Sequence, residues 1–169
     1  LINDVRALLE PGALEAAAAG NAAVCLMHMQ GMPRTMQQDP HYDDVVVEVD
    51  AFLRERVAAA RAAGIAAERI SIDPGFGFGK TVTHNLQLLA GLPRIVDPGV
   101  PVLVGLSRKS MLAKLTGRDV HDRLAGSVAL ATIAALHGAR IVRAHDVAAT
   151  RDAIAVAFAT REQHRMRGR

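Results

Sequence analysis

The chain has 169 residues, of which 50% are hydrophobic and 3% aromatic, and it carries a formal net charge of +3 and one cysteine. This length can bury one sizeable core, so we expect one domain or part of one. The scattered basic residues and scarce aromatic rings argue against a nucleic-acid partner, no apolar run reaches membrane-spanning length, and the single Cys25 excludes an intrachain disulfide framework. We therefore expect a cytoplasmic protein without a membrane partner.

Short apolar runs alternate with helical patterns in the first half of the chain. The pattern predicts strands at 1–5, 22–27 and 70–73, and helices at 11–20 and from about 43 to 63. A polar loop at 30–39 precedes the second helix, which Gly64 is expected to end.

The same alternation continues to the C-terminus. After a glycine-rich loop, the pattern predicts a helix from Thr83 or His84, strands at 100–105 and 140–144, a helix over about 122–137, and a last helix from Asp146 or Thr150. The basic residues of the tail at 161–169 are interpreted as a solvated helix end, where positive charge suits the helix dipole.

Five strand–helix units in series, without a hairpin turn between strands, predict an α/β fold with a parallel sheet. Two architectures remain open on this reasoning: an open doubly wound sheet, and a (β/α)8 barrel, which usually needs about 250 residues. Both place a ligand at the carboxyl ends of the strands.

Polar side chains stand at these predicted strand ends. They include Asn3, Asp73, Ser107, Lys109, Arg143 and His145. Residues two apart on an extended segment share a face, so Ser107 is expected beside Lys109, and Arg143 beside His145. Because a guanidinium group suits a phosphate and a carboxylate suits ring N–H groups, the set predicts a pocket for a polar heterocycle with an anion. Singly, each residue has an ordinary alternative, such as a helix cap for Asn3.

The glycine-rich segment 73–81 does not match a nucleotide-binding motif. A P-loop requires glycine where Pro74 stands, and the third glycine arrives one residue too early for a dinucleotide fingerprint. We interpret the segment as a flexible loop that presents Phe76 and Phe78 beside a pocket. The histidines show no metal-binding spacing, and segment 105–109 lacks the second glycine of a serine-hydrolase motif, so neither site is expected.

Five segments together form a specific pattern: 25–37 (CLMHMQGMPRTMQ), 72–80 (IDPGFGFGK), 105–110 (GLSRKS), 143–147 (RAHDV) and the opening 2–5 (INDV). These segments resemble those of dihydropteroate synthases. Their order and spacing match over essentially the whole chain. The resemblance implies a (β/α)8 TIM barrel, of which residues 1–169 would be the C-terminal portion of a single pterin-binding barrel domain, holding about the last five β/α units. The first three strands would precede Leu1.

The resemblance also implies roles for individual residues. The pterin would be bound by Asn3, Met27, Asp73, Gly105 and Lys109, its diphosphate by Arg143 and His145, and p-aminobenzoate by Phe78, Ser107 and Lys109. The catalytic residues would be Lys109, Arg143 and His145.

The implied reaction belongs to folate biosynthesis: the amine of p-aminobenzoate displaces pyrophosphate from the CH2 carbon of 6-hydroxymethyl-7,8-dihydropterin diphosphate. Sulfonamides would occupy the p-aminobenzoate position. Mg2+ would be the cofactor, with its expected ligand upstream and no metal ligand in this chain. A homodimer is expected, and turnover would also need the loops of the preceding strands.

Two other interpretations remain open. One is another pterin-binding barrel, of the methyltetrahydrofolate methyltransferase type, and the other is a non-catalytic pterin-binding module. Neither has a diphosphate to hold, so the presence of Lys109, Arg143 and His145 favours the synthase.

Overall fold

The computed structural model describes residues 1–95 and 99–167. Its strands are β1 (Ile2–Asp4), β2 (Val24–Met27), β3 (Ile70–Asp73), β4 (Leu103–Val104) and β5 (Ile141–Val142). All pairings are parallel: β1, β2 and β3 form one sheet, β4 pairs with β5, and a bridge between Ile72 and Val102 joins the two. The parallel arrangement is confirmed, and neighbouring strands follow chain order as in a barrel, without the reversal of a doubly wound sheet.

Helices connect the strands. They are α1 (Ala13–Ala19), α2 (Val45–Ala62), α3 (Val82–Ala90), α4 (Leu92–Ile95), α5 (Ser110–Thr116), α6 (Leu124–Leu136) and α7 (Val147–Arg167). The sequence prediction omits α4 and α5, and it starts α6 too early, because Val120–Asp122 forms a separate 3-10 turn. Of the tail prediction, residues 168–169 and the side chains from 164 onward lie outside the described part.

Local signals fix several helix ends. The Asp44 carboxylate accepts hydrogen bonds from the amides of Val46 and Val47 and so begins α2. Gly64 follows the end of α2 with a φ of 91°, which an L side chain rarely adopts. The last helix begins directly after Asp146, the earlier of the two predicted starts.

The strands separate an apolar face from a polar one. Val24, Leu26, Ile70 and Ile72 belong to the hydrophobic core that α2 covers. The alternate residues of the same strands point the other way because side chains on a strand alternate with a period of two. Those residues are Asn3, Cys25, Met27, Ser71 and Asp73. The functional side chains therefore occupy the inner face, and the helices stabilise the fold from outside.

Within residues 1–95 and 99–167, no helix combines the length and the apolar character needed to cross a membrane.

Candidate functional site

The predicted strand-end residues converge on one cavity. It has a volume of about 440 Å³ and is lined by Phe78, Gly105, Ser107, Lys109, Arg143, Ala144 and His145. Asn3 and Asp73 adjoin it, because both accept hydrogen bonds from Arg143. Met27 is buried beside them, with its sulfur 3.9 Å from Nδ2 of Asn3. The structure thus brings together the residues for which the resemblance implies a ligand.

Asp73 is the buried acceptor of the site. Its side chain is 1% exposed. One carboxylate oxygen accepts from the Gly75 amide at 2.8 Å, and the other accepts from Arg143 at 3.2 Å. Burial raises the pKa of Asp73 above its usual value, although the Gly75 amide and the Arg143 guanidinium act in the opposite direction. A buried carboxylate in this position is suited to accept hydrogen bonds from the N–H groups of a heterocycle.

Arg143 spans the pocket rather than pointing away from it. Its Nη1 donates to Oδ1 of Asn3 at 3.1 Å, and its Nη2 donates to Oδ2 of Asp73. The guanidinium lies over Gly105 so closely that a Cβ at that glycine would be 2.4 Å from Nη2. The absence of a side chain at Gly105 therefore leaves room for a flat group, and in this structure that group is the guanidinium.

Ser107 and His145 form a pair at the mouth of the cavity. The Ser107 hydroxyl oxygen accepts from the His145 amide at 3.2 Å and lies 3.0 Å from Nδ1 of its ring. Arg108 ties the same two loops together, because its guanidinium donates two hydrogen bonds to the Asp146 carboxylate, at 3.2 and 2.9 Å. This double contact fixes the loop after β4 against the loop after β5.

The predicted reason for grouping Ser107 with Lys109 is wrong. The strand β4 ends at Val104, and Arg108 has a φ of 58°, so the segment turns instead of remaining extended. Both side chains still reach the cavity. The turn is held by a hydrogen bond of 2.9 Å from the Arg108 amide to Oγ of Ser127.

Lys109 and Phe78 close one side of the cavity. The ammonium nitrogen of Lys109 lies 4.4 Å from the centroid of the Phe78 ring, a cation–π contact. Burial lowers the pKa of Lys109, an effect that Asp73 opposes and Arg143 strengthens. Phe76, which we expected beside the pocket, is instead 1% exposed and belongs to the core.

The glycine-rich loop, which the sequence predicts to be flexible, forms hydrogen bonds to side chains outside the loop. Tyr42 donates to the Gly79 carbonyl at 2.8 Å, and the Gly77 amide donates to Oδ1 of Asn85 at 2.7 Å. Lys80 is 3% exposed and folds back beneath the loop. Sequence reasoning missed Lys80, although it is one of only three lysines among 20 basic residues.

The described residues do not fit a Mg2+ site. In the described ranges, no group of three His, Cys, Asp or Glu side chains could hold a metal ion. The side chains that line the cavity are mostly hydrogen-bond donors, whereas Mg2+ requires oxygen ligands.

The chain is similar to a family of known proteins over most of its length. Residues 1–145 match the family described as pterin binding enzyme. Dihydropteroate synthase of Escherichia coli (strain K12) is 53% identical over 160 residues, which cover 95% of this chain and 57% of that protein. The chain therefore spans just over half the length of the curated relatives it matches.

Solved structures show the same relationship. Dihydropteroate synthase from Stenotrophomonas maltophilia, with imidazole in its active site, matches with a TM-score of 0.90 and 56% identity over 95% of this chain and 61% of that one. The Xanthomonas albilineans enzyme in complex with 7,8-dihydropteroate matches with a TM-score of 0.87 and 55% identity, over 95% and 60% of the two chains. The chain is thus part of a fold of the TIM-barrel type.

Proposed function

Because this chain belongs to the pterin binding enzyme family, we propose that it forms the C-terminal portion of one barrel domain of a dihydropteroate synthase. The observation that supports this most directly is that hydrogen-bond acceptors and hydrogen-bond donors meet at one cavity. The acceptors Asn3 and Asp73 lie on the inner side, and the donors Lys109, Arg143 and His145 surround them. A ligand that carries ring N–H groups at one end and an anion at the other matches this arrangement.

In the proposed complex the pterin ring lies over Gly105, with its N–H edge on Asp73 and Asn3. Met27 packs near these acceptors, and Lys109 donates to the ring from the side of Phe78. The fit is supported by the space above Gly105, which a side chain would remove.

Arg143 changes partners when the substrate arrives. The guanidinium now holds Asp73 and Asn3, the acceptors proposed for the pterin. Its side chain is 48% exposed, so it can swing outward. There it meets the diphosphate beside His145 and Ser107, because a guanidinium group binds phosphate oxygens in a fork.

p-Aminobenzoate lies beside Phe78, Ser107 and Lys109. Its amine nitrogen forms a bond to the CH2 carbon of the pterin, the carbon–oxygen bond to the diphosphate breaks, and the amine loses a proton to solvent. An aniline nitrogen is already nucleophilic, so no strong general base is required. The residues of this chain act by alignment and by stabilising the charge of the departing pyrophosphate.

The cofactor expected from the resemblance is Mg2+, with its ligand outside this chain. The described residues form no site for it, so the steps above are derived without it.

We further propose a cytoplasmic homodimer. The buried free thiol of Cys25 suits a reducing compartment. Several apolar side chains on α6 and α7 remain exposed and are available for burial at a dimer interface. Among them are Ile133, Leu136 and Val156. Sedimentation of the full-length gene product would test the dimer.

The proposal is tested by calorimetric titration of the full-length gene product with 6-hydroxymethyl-7,8-dihydropterin diphosphate in the presence of Mg2+. Wild type should bind, and Arg143→Ala should bind at least about 10-fold more weakly, because hydrogen bonds to charged groups are lost. Arg140→Ala, on the same strand segment but outside the cavity, is the matched control. A folded protein that binds no pterin diphosphate would refute the proposal.

A further inference from the structure

Lys80 makes an unusual set of contacts beneath the glycine-rich loop. Its ammonium nitrogen lies 3.1 Å from the Gly75 carbonyl, 3.1 Å from the Phe78 carbonyl and 2.9 Å from Nδ1 of His28. An ammonium group has three N–H donors and no acceptor, so these contacts use all of them. Two of the three acceptors belong to the loop itself.

The other contacts of the glycine-rich loop hold its glycines in place. Phe78 is the loop side chain that lines the cavity. Gly75 lies against the His28 carbonyl, where a Cβ would be 1.8 Å from the oxygen. Gly77 is held by Asn85, and Gly79 by Tyr42. Phe78 lines the cavity on the side where Lys109 approaches its ring.

We propose that Lys80 is a positioning residue for p-aminobenzoate: its ammonium group holds the loop in the conformation that presents the Phe78 ring to that substrate. This inference rests on the proposed function. Lys80 itself is 3% exposed and does not line the cavity. Its effect therefore passes through the Phe78 carbonyl to the Phe78 ring.

The cost of burying a lysine supports a role beyond stability. Burial lowers the pKa of Lys80 to about 7, with the nearby Lys109 adding to the effect and Asp73 opposing it. The imidazole of His28 and the Tyr42 ring, 5.8 Å away, are its other neighbours. A buried ammonium group is costly unless its hydrogen bonds are satisfied, and an apolar residue would fill the space more cheaply. The neutral amine keeps two N–H donors for the two loop carbonyls, and its lone pair can accept from an Nδ1–H tautomer of His28, so both protonation states can hold the loop.

The test uses steady-state kinetics of the full-length gene product carrying Lys80→Met, which keeps a long apolar chain but has no donor. The KM for p-aminobenzoate should rise by about 10-fold, the loss expected for a hydrogen bond to a charged group. The KM for the pterin diphosphate should change less than about twofold, because the hydrogen bonds of Arg143 to Asn3 and Asp73 do not involve Lys80. Lys114→Met, the same change at an exposed lysine of α5, should alter neither value.

Equal rises in both KM values, or unchanged values in a folded variant, would overturn the inference. If Lys80→Met fails to fold, Lys80→Gln retains two amide donors, and it should raise the p-aminobenzoate KM alone by a smaller factor. Hydrogen exchange of the amides at 75–80 gives a readout that does not depend on turnover: it should accelerate in both variants. Absent turnover in wild type would refute the proposed function, whereas unchanged exchange in the variants would refute the role of Lys80.

Discussion

The guanidinium of Arg143 donates a hydrogen bond of 3.2 Å to the buried carboxylate of Asp73. The resemblance implies different ligands for these two residues, a diphosphate for the arginine and a pterin ring for the aspartate. The amino-pyrimidine edge of a pterin has the same N–C–N donor pattern as a guanidinium group. In the proposed complex Arg143 and the pterin would compete for one acceptor, and binding of the ring would free the arginine for the anion.

This competition predicts opposite effects of one substitution. Arg143→Ala should weaken binding of the diphosphate-bearing pterin by at least about 10-fold. The same change should tighten binding of 6-hydroxymethylpterin without phosphate by up to about fivefold, because a half-exposed ion pair contributes at most about 1 kcal/mol. Calorimetric titration with the two ligands measures both effects. Weakening of both ligands by similar factors would show that Arg143 does not compete with the ring.

Asp73→Asn should separate stability from binding. Burial raises the pKa of Asp73 in the folded state. The stability that this group contributes is therefore present at low pH and is lost as the pH rises through the folded pKa. At pH 7 the uncharged amide should stabilise the protein by on the order of 1 kcal/mol, while pterin affinity falls at least about 100-fold because ring N–H groups lose a charged acceptor.

Thermal unfolding and pterin titration measure the two effects of Asp73→Asn. Asp50→Asn is the matched control, since this carboxylate pairs with Arg54 on the surface of α2 and such pairs contribute only about 0.5 kcal/mol. A less stable Asp73→Asn protein would mean that the contacts of the carboxylate outweigh the cost of its burial.

The sequence predicts that the site lies at the carboxyl ends of the strands. Parallel strands end at the same edge of a sheet, and alternate residues of a strand share a face. Asn3, Asp73 and Arg143 therefore meet as expected. Their mutual hydrogen bonds could not be predicted, since these depend on side-chain reach across strands far apart in the chain.

The conformation of the glycine-rich loop could not be predicted from the sequence. Phe76 and Phe78 are equivalent in the sequence, yet one ring enters the core and the other lines the cavity. The choice depends on left-handed turns at Gly75, Gly77 and Gly79, each with a positive φ. Similarly, the short helix α5 gains its stability from burying Met111 and Leu112, a tertiary contact that a short sequence window does not contain.

Two glycine substitutions separate backbone strain from close packing. Gly64 and Gly75 both have a positive φ, of 91° and 70°. A Cβ at Gly64 would meet nothing within 4 Å, whereas one at Gly75 would lie 1.8 Å from the His28 carbonyl oxygen. Gly64→Ala should cost about 1 kcal/mol, and Gly75→Ala should cost at least about 2 kcal/mol more because the backbone must shift. Urea denaturation of both variants measures the difference, and equal costs would contradict the close contact.

The stability of the protein should fall in acid through His28. Burial, together with the charge of Lys80, lowers the pKa of His28 from 6.5 to about 3. A group with a lowered folded pKa contributes stability above its unfolded pKa and loses it as the pH falls through the folded pKa. The free energy of unfolding should therefore decrease by a few kcal/mol between about pH 6.5 and pH 3.

His28→Asn should reduce that slope, because asparagine does not titrate and its side-chain oxygen can still accept from Lys80. The exposed His121→Asn is the matched control. Denaturant unfolding at a series of pH values gives the slopes. Identical slopes for wild type and His28→Asn would place the acid sensitivity elsewhere.

Cys25 lies in the middle strand of the first sheet, in register with Asn3 on one side and Ser71 on the other. Its side chain is fully buried, and burial raises the pKa of the thiol to about 11. A thiol reagent can therefore reach it only when the strands part, and the labelling rate reports how often they do so. Since the chain has one cysteine, the labelling rate measures how often the sheet beneath the pocket opens. Any ligand that bridges these strands should lower that rate.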